Sequence, residues 1–174
     1  MAGPATGVAV PRPAYNVLFL SATNATRSIM AEALLRTLGA DRFRAFSAGS
    51  AAEGRVHTMA LRVLAESGCP IAGLRSKGWE EFCGERAPAI DFVITVCETA
   101  VGMRPPAFRG RPVHAHWDVS DPAAIEGAEE ARLLAFRDAL GVLRRRVQHF
   151  TSLPFESIDK LALKGALREI GELA

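Results

Sequence analysis

The sequence predicts an α/β domain: a four-stranded parallel sheet in three layers, with helices on both faces. Two patterns point there. Short, nearly continuous apolar runs of strand length alternate with longer segments whose apolar residues recur at helical spacing. The chain has 174 residues, of which 49% are hydrophobic, enough for one sizeable core within one domain. No internal repeat and no long linker divides it.

Residues 1–15, rich in Gly, Pro and Ala, are expected to form a flexible N-terminal arm, and residues 16–174 the domain. Asn16 to Leu20 (NVLFL) has the apolar continuity of a strand buried on both faces. After a polar loop, Ser28 to Leu38 is a helix, with Ile29, Met30, Ala33, Leu34 and Leu38 on one stripe and Gly39 as its stop. Phe43 to Ser47 is the second strand, ending at Ala48-Gly49-Ser50, and His57 to Glu66 is an amphipathic helix closed by Gly68. Phe92 to Val96 (FVITV), rich in β-branched residues, is the clearest central strand; Val113 to Trp117 is a shorter one. A long helix spans Ala128 to Phe150, Pro154 breaks it, and Ser157 to Ile170 forms the last helix. In such sheets ligands bind beyond the carboxyl ends of the strands, so the loops after Leu20, Cys97 and Trp117 are where a site is expected.

Composition excludes several classes. Lys and Arg exceed Asp and Glu by two, so no strongly charged partner such as nucleic acid is implied, and Arg144-Arg145-Arg146 is expected to be a solvated helix face. No run approaches the roughly 18 apolar residues of a membrane span, and the N-terminus lacks the pattern of a secretion signal. Three widely spaced cysteines, Cys69, Cys83 and Cys97, fit reduced cytoplasmic thiols better than a disulfide framework. His114 and His116 share a strand face and could join Cys97 around zinc, but the short spacings of zinc sites are missing, so no metal and no cofactor is expected.

The loop Ser21-Ala22-Thr23-Asn24-Ala25-Thr26-Arg27-Ser28 carries the chemistry. A strand that feeds a short polar loop opening into a helix presents unpaired amides and the positive end of the helix dipole to whatever sits in the loop. Arg27 adds a permanently charged fork that matches two oxygens of a tetrahedral oxyanion. A cation at a helix start is otherwise unfavourable, which an anion would relieve. The nucleotide-binding P-loop is excluded, since no Gly-Lys pair is present.

In order and spacing, these residues resemble the low-molecular-weight protein tyrosine phosphatases and the related bacterial arsenate reductases. That superfamily carries V-x-F-x-C-x-x-N-x-x-R-S after its first strand; this chain has Val17, Phe19, Ser21, Asn24, Arg27 and Ser28, then Ala31-Glu32. Ser47-Ala48-Gly49, the strand from Asp91 to Cys97, and His116-Trp117 leading to Asp121-Pro122 continue the resemblance almost to the final helix. It implies that residues 22–28 bind the oxyanion, that Arg27 steadies its charge, that Asp121 corresponds to the general acid, and that Asn24 and Ser28 brace the loop. It also places Ser21 where the family has its nucleophilic cysteine.

That departure decides the expected chemistry. A cysteine with a pKa of about 8.5 is readily drawn below neutrality in such a loop, whereas an alcohol is a far weaker acid and needs an adjacent base that the pattern does not supply. Serine also cannot form the sulfur bonds of a thiol relay. In the relay reductases, Cys97 would match the middle cysteine, but no further cysteine follows between Glu98 and Phe108. Thr23 and Thr26 stand where related loops often carry glycine and cysteine, so the departure is wider than one position. The sequence therefore points to an oxyanion-binding protein with lost or impaired catalysis. An active arsenate reductase or phosphatase, and an interaction module with a vestigial site, remain the alternatives. For the last, the apolar face of Leu161, Leu163, Leu167 and Ile170 could meet a protein partner, although packing on its own domain is the simpler expectation.

Overall fold

A computed structural model describes residues 14–98 and 104–174. Among these the order is β1 (Tyr15–Ser21), α1 (Arg27–Leu38), β2 (Phe43–Gly49), α2 (Thr58–Glu66), a 3-10 turn (Trp79–Phe82), β3 (Phe92–Thr95), β4 (Val113–His116), a second 3-10 turn (Pro122–Ala124), α3 (Glu129–Thr151) and α4 (Lys160–Gly171). Each expected strand and helix is present. The largest shift is at α4, which begins at Lys160 because Asp159 caps it, its Oδ1 accepting the Ala162 amide at 2.9 Å. The expected N-terminal arm lies outside the described residues up to residue 13, and Tyr15 already belongs to β1.

All four strands run parallel in the order β2-β1-β3-β4. Val17 of β1 lies between Ala45 and Phe92, and Phe92 pairs onward with Val113. The chain steps from β1 out to β2 and then returns past β1 to β3. The carboxyl ends of β1 and β3 thus flank the switch point at which such sheets bind ligands.

Strand alternation divides the interior. Val17 and Phe19 face the main core with Ile29 and Leu34 of α1, Leu64 of α2, Phe136 and Leu143 of α3, and Leu167 of α4. Leu18 and Leu20 face a smaller core with Ala48, Phe82, Ile90, Val93 and Phe108. All four α-helices contribute to the first face, and the helical element of the second is the short turn at 79–82. The sequence shows why: four glycines and two prolines between Gly68 and Pro88 interrupt any longer helix there. Tyr15, Phe43, Phe92, Phe150 and Phe155 stack at the amino ends of the strands, with ring centroids 5.1 to 5.9 Å apart. That cluster anchors the sheet at the end opposite the candidate site.

Two expectations need correction. The triple arginine is not a uniform solvated face: Arg145 is exposed, but Arg146 is buried and donates to the carbonyls of Asp118 (2.7 Å) and Leu173 (2.9 Å). A guanidinium supplies several donors, so it is tolerated inside where carbonyls meet it. The apolar face of α4 packs on its own domain as expected, through Leu163, Leu167 and Ile170, but Leu161, expected on that face, is 81% exposed. No described helix is long and apolar enough to cross a membrane.

Candidate functional site

The loop from Ser21 to Thr26 is held from outside by its carbonyls. Ser50, Ala51, Glu53 and His57 donate their amides to the carbonyls of Ser21, Ala22, Thr23 and Ala25 at 2.9 to 3.2 Å. The amides of residues 22, 23 and 25–28 have no hydrogen-bond partner among the described residues. Thr26 is the N-cap of α1, yet its side chain caps nothing. Carbonyls paired and amides left over, at the start of a twelve-residue helix, concentrate positive partial charge at the loop.

Asn24 fixes the turn. It is fully buried in the left-handed region (φ 48°), a conformation asparagine tolerates better than most residues. Its Oδ1 accepts the Lys77 amide (2.9 Å) and its Nδ2 donates to Ser28 Oγ (2.8 Å). Ser28 Oγ in turn lies 2.7 Å from Ser21 Oγ, which accepts the Asn24 amide at 3.1 Å. Ser21 is 97% buried among these partners, and no imidazole, carboxylate or amine among the described residues hydrogen-bonds to its hydroxyl.

Arg27 and Asp121, 94 positions apart, meet at the rim. Arg27 Nη1 donates to the Val119 carbonyl (2.9 Å), and Nη2 lies 3.5 Å from Asp121 Oδ2. Its Nε is buried without a partner. Asp121 is 40% exposed, and its other oxygen caps the 122–124 turn through the Ala123 amide (3.0 Å). Arg27 and Arg146 thus grip the 118–121 loop at adjacent carbonyls, Val119 and Asp118. The structure thus brings Arg27 and Asp121 together beside the loop that Ser21 opens.

A buried ionic network behind the loop was not legible as part of it. Glu32 of α1 is 99% buried; it pairs with Arg36, accepts from Ser47 Oγ, and lies 3.6 Å from Lys77 Nζ. Lys77 Nζ also donates to the Arg75 carbonyl (3.0 Å), and burial pushes its pKa down against the opposing pull of Glu32. Lys77 uses its backbone for the loop as well: its amide reaches Asn24, and its carbonyl receives the Gly49 amide at 2.9 Å. Gly49 is required sterically, since a Cβ there would lie 2.5 Å from the Ala22 carbonyl oxygen. The Ala31-Glu32 and Ser47-Ala48-Gly49 motifs were the available signal; Lys77 carried none.

The remaining residues singled out in the sequence are placed as follows. Cys97, wholly buried, follows β3 at the same sheet end as Ser21, since Val96 donates to the Leu20 carbonyl at 2.9 Å. No disulfide joins Cys69, Cys83 and Cys97. The segment after Glu98, where a further relay cysteine was sought, includes residues 99–103, outside those described. His114 and His116 are exposed on β4, where His116 Nδ1 lies 2.6 Å from Thr95 Oγ1, and the described residues contain no cluster of three potential metal ligands. Trp117 is fully buried and fastens α4 through an Nε1–Leu167 carbonyl bond of 2.9 Å.

Comparison with known proteins agrees with this geometry. Residues 16–162 match the profile of the family described as low molecular weight phosphotyrosine protein phosphatase. A glutaredoxin arsenate reductase from Synechocystis sp. is 32% identical over 133 residues, covering 76% of this chain and 93% of the relative. An arsenate reductase from Halalkalibacterium halodurans is 30% identical, covering 77% and 93%. Among solved structures, one described as an arsenate reductase in the phosphate binding state superposes with a TM-score of 0.65 at 28% identity, covering 79% of this chain and 97% of the other.

Proposed function

The chain belongs to the low molecular weight phosphotyrosine protein phosphatase family, and from that premise we propose that it is an arsenate-reductase-like protein that binds a tetrahedral oxyanion, with catalysis lost or strongly impaired at Ser21. The observation that carries the binding half is the orientation of the loop. Its carbonyls are taken by the 50–57 segment while the amides of residues 22, 23 and 25–28 are unpaired. Phosphate, arsenate or sulfate would accept from those amides and from the buried Arg27 Nε. The relative whose structure is described as phosphate-bound supports the same ligand class.

The catalytic half rests on Ser21 standing at the family's nucleophile position. Its two partners are an amide and a hydroxyl, neither able to remove its proton. The amides and guanidinium that would stabilise a thiolate leave an alcohol un-ionised. Arg27 then holds an anion without attack upon it, and Asp121 has no leaving group to protonate. The free cysteines and the absence of a membrane-crossing helix among the described residues fit a cytoplasmic protein that binds a small anion, with a protein partner as a further ligand.

The placement of Asp121 3.5 Å from Arg27 favours one other reading, a working arsenate reductase or phosphatase. The deciding experiment measures wild-type phosphate release from an aryl phosphate and arsenate-dependent thiol oxidation, beside thermal stability with millimolar phosphate. Stabilisation by phosphate without turnover is the expected pair. Turnover abolished by Ser21→Ala would instead establish an active enzyme, and no phosphate effect on stability would remove the binding site altogether.

A further inference from the structure

We infer that the concavity between β4 and α4 is a second anion site, one that takes a ligand with two or more linked phosphate groups. It has a volume of about 400 Å³, within the small-ligand range. Its walls carry Lys160, Lys164 and Arg168 from α4 and His114 and His116 from β4.

What sets this surface apart is three cations lining one concavity together with two imidazoles. Several other exposed cations sit in ion pairs, Arg62 with Glu66 and Glu129, Arg75 with Glu81 and Arg137 with Glu66. Lys160, Lys164 and Arg168 have no ion pair or hydrogen bond among the described residues, although all three are exposed on one helix stripe at spacings of four. Like charges so placed repel one another in the unliganded protein. Burial, and next the Lys164 ammonium, hold the His114 imidazole below the usual histidine range, so the same field reaches the strand. An anion between helix and strand relieves both effects.

The spacing selects the ligand. Eight residues of helix from Lys160 to Arg168 rise about 12 Å. A single phosphate meets one or two of these cations at a time, whereas a chain of linked phosphates meets all three. The Arg27 loop, by contrast, closes around one tetrahedral group. Asp159, at the same helix end, uses Oδ1 to cap the helix through the Ala162 amide at 2.9 Å. The anchorage of α4 is also firm: a Cβ at Gly171 would lie 2.6 Å from the His116 carbonyl oxygen, so helix and strand form one rigid wall.

The test uses the full chain carrying Arg27→Ala, which silences the first loop, titrated calorimetrically with tripolyphosphate. One ligand per chain is expected, bound at least about tenfold more tightly than inorganic phosphate. Lys164→Glu with Arg168→Glu should weaken it at least about tenfold, and the milder Lys164→Gln with Arg168→Gln should weaken it in the same direction. Arg44→Glu with Arg86→Glu changes net charge equally on other surfaces and should leave binding unchanged. Equal weakening by that control, no binding at all, or tighter binding of poly-glutamate than of tripolyphosphate would overturn the assignment. The last of these would mark the surface for an acidic protein. This site is independent of the first, so a loop that fails to bind phosphate leaves the result interpretable.

Discussion

Replacing Ser21 by cysteine separates the loop's electrostatics from its nucleophile. A thiolate at that position accepts from the Asn24 amide, now 3.1 Å from Oγ, and from the Ser28 hydroxyl, now 2.7 Å away. Hydrogen bonds to a charged group contribute about 1.5–3 kcal/mol each, and the α1 start adds about 0.3–1 kcal/mol. Desolvation in a site that is 97% buried opposes them. If about 3 kcal/mol survives, the thiol pKa falls about two units below its usual value of about 8.5, and most of it is ionised at neutral pH. The same 3 kcal/mol corresponds to about a hundredfold in rate. The expected result is aryl phosphate hydrolysis at least about a hundredfold above wild type. It should rise with pH through the depressed thiol pKa and then level off. Thiolate absorbance against pH measures that pKa directly. A thiol that titrates near 8.5, or one that ionises early yet hydrolyses nothing while phosphate still protects the fold, would refute this account of the loop.

Three further outcomes test the parts around it. Glu32→Gln removes the charge facing Lys77 in a site where both side chains are at least 93% buried. Unfolding in urea should show a loss of about 3 kcal/mol, partly recovered by adding Lys77→Met; a change below about 0.5 kcal/mol would contradict the pairing. Arg27→Lys keeps the charge but loses the fork that reaches Val119 and Asp121, so phosphate affinity by calorimetry should fall about tenfold, and equal affinity would deny Arg27 its role. Burial, then Arg132, lower the pKa of His57, whose Nδ1 accepts the Met59 amide at 3.1 Å and cannot do so once protonated. Its contribution to stability is therefore complete above about pH 6.5 and is lost as pH falls through the lower folded value. The melting temperature should decline on acidification from about pH 6.5, less steeply in His57→Asn, with His114 contributing a remaining slope of the same sign; identical slopes would exclude His57.

What the sequence revealed followed local rules. β1 and β3 could be read because a strand buried on both faces must be continuously apolar, and α1 because its stripe recurs at helical spacing. The loop could be read because its residues are contiguous. Lys77 could not: it lies 53 residues from Asn24, within glycine- and proline-punctuated chain that has no period. Arg146 was obscured by its neighbours, since an Arg-Arg-Arg run looks solvated until one member is found with two carbonyls. Glu32 stood in the Ala31-Glu32 motif without a role, and only three-dimensional placement showed a buried carboxylate shared by Arg36, Ser47 and Lys77.

The contacts that shape the pocket and the atom that would perform chemistry in it are largely separate. Four carbonyl bonds to the 50–57 segment set the amides, Lys77 and Gly49 set the turn, and Val119 with Asp121 sets the guanidinium. Ser21 Oγ shares in two hydrogen bonds of this frame. A sulfur or an oxygen at residue 21 therefore changes ionisation far more than it changes shape, and affinity for an oxyanion does not require attack upon it. The buried Glu32–Lys77 pair is costly to desolvate and lies behind the loop. Its physical return is a rigid ring of unpaired amides, and that return is the same whether the ring stabilises a transition state or simply retains an anion.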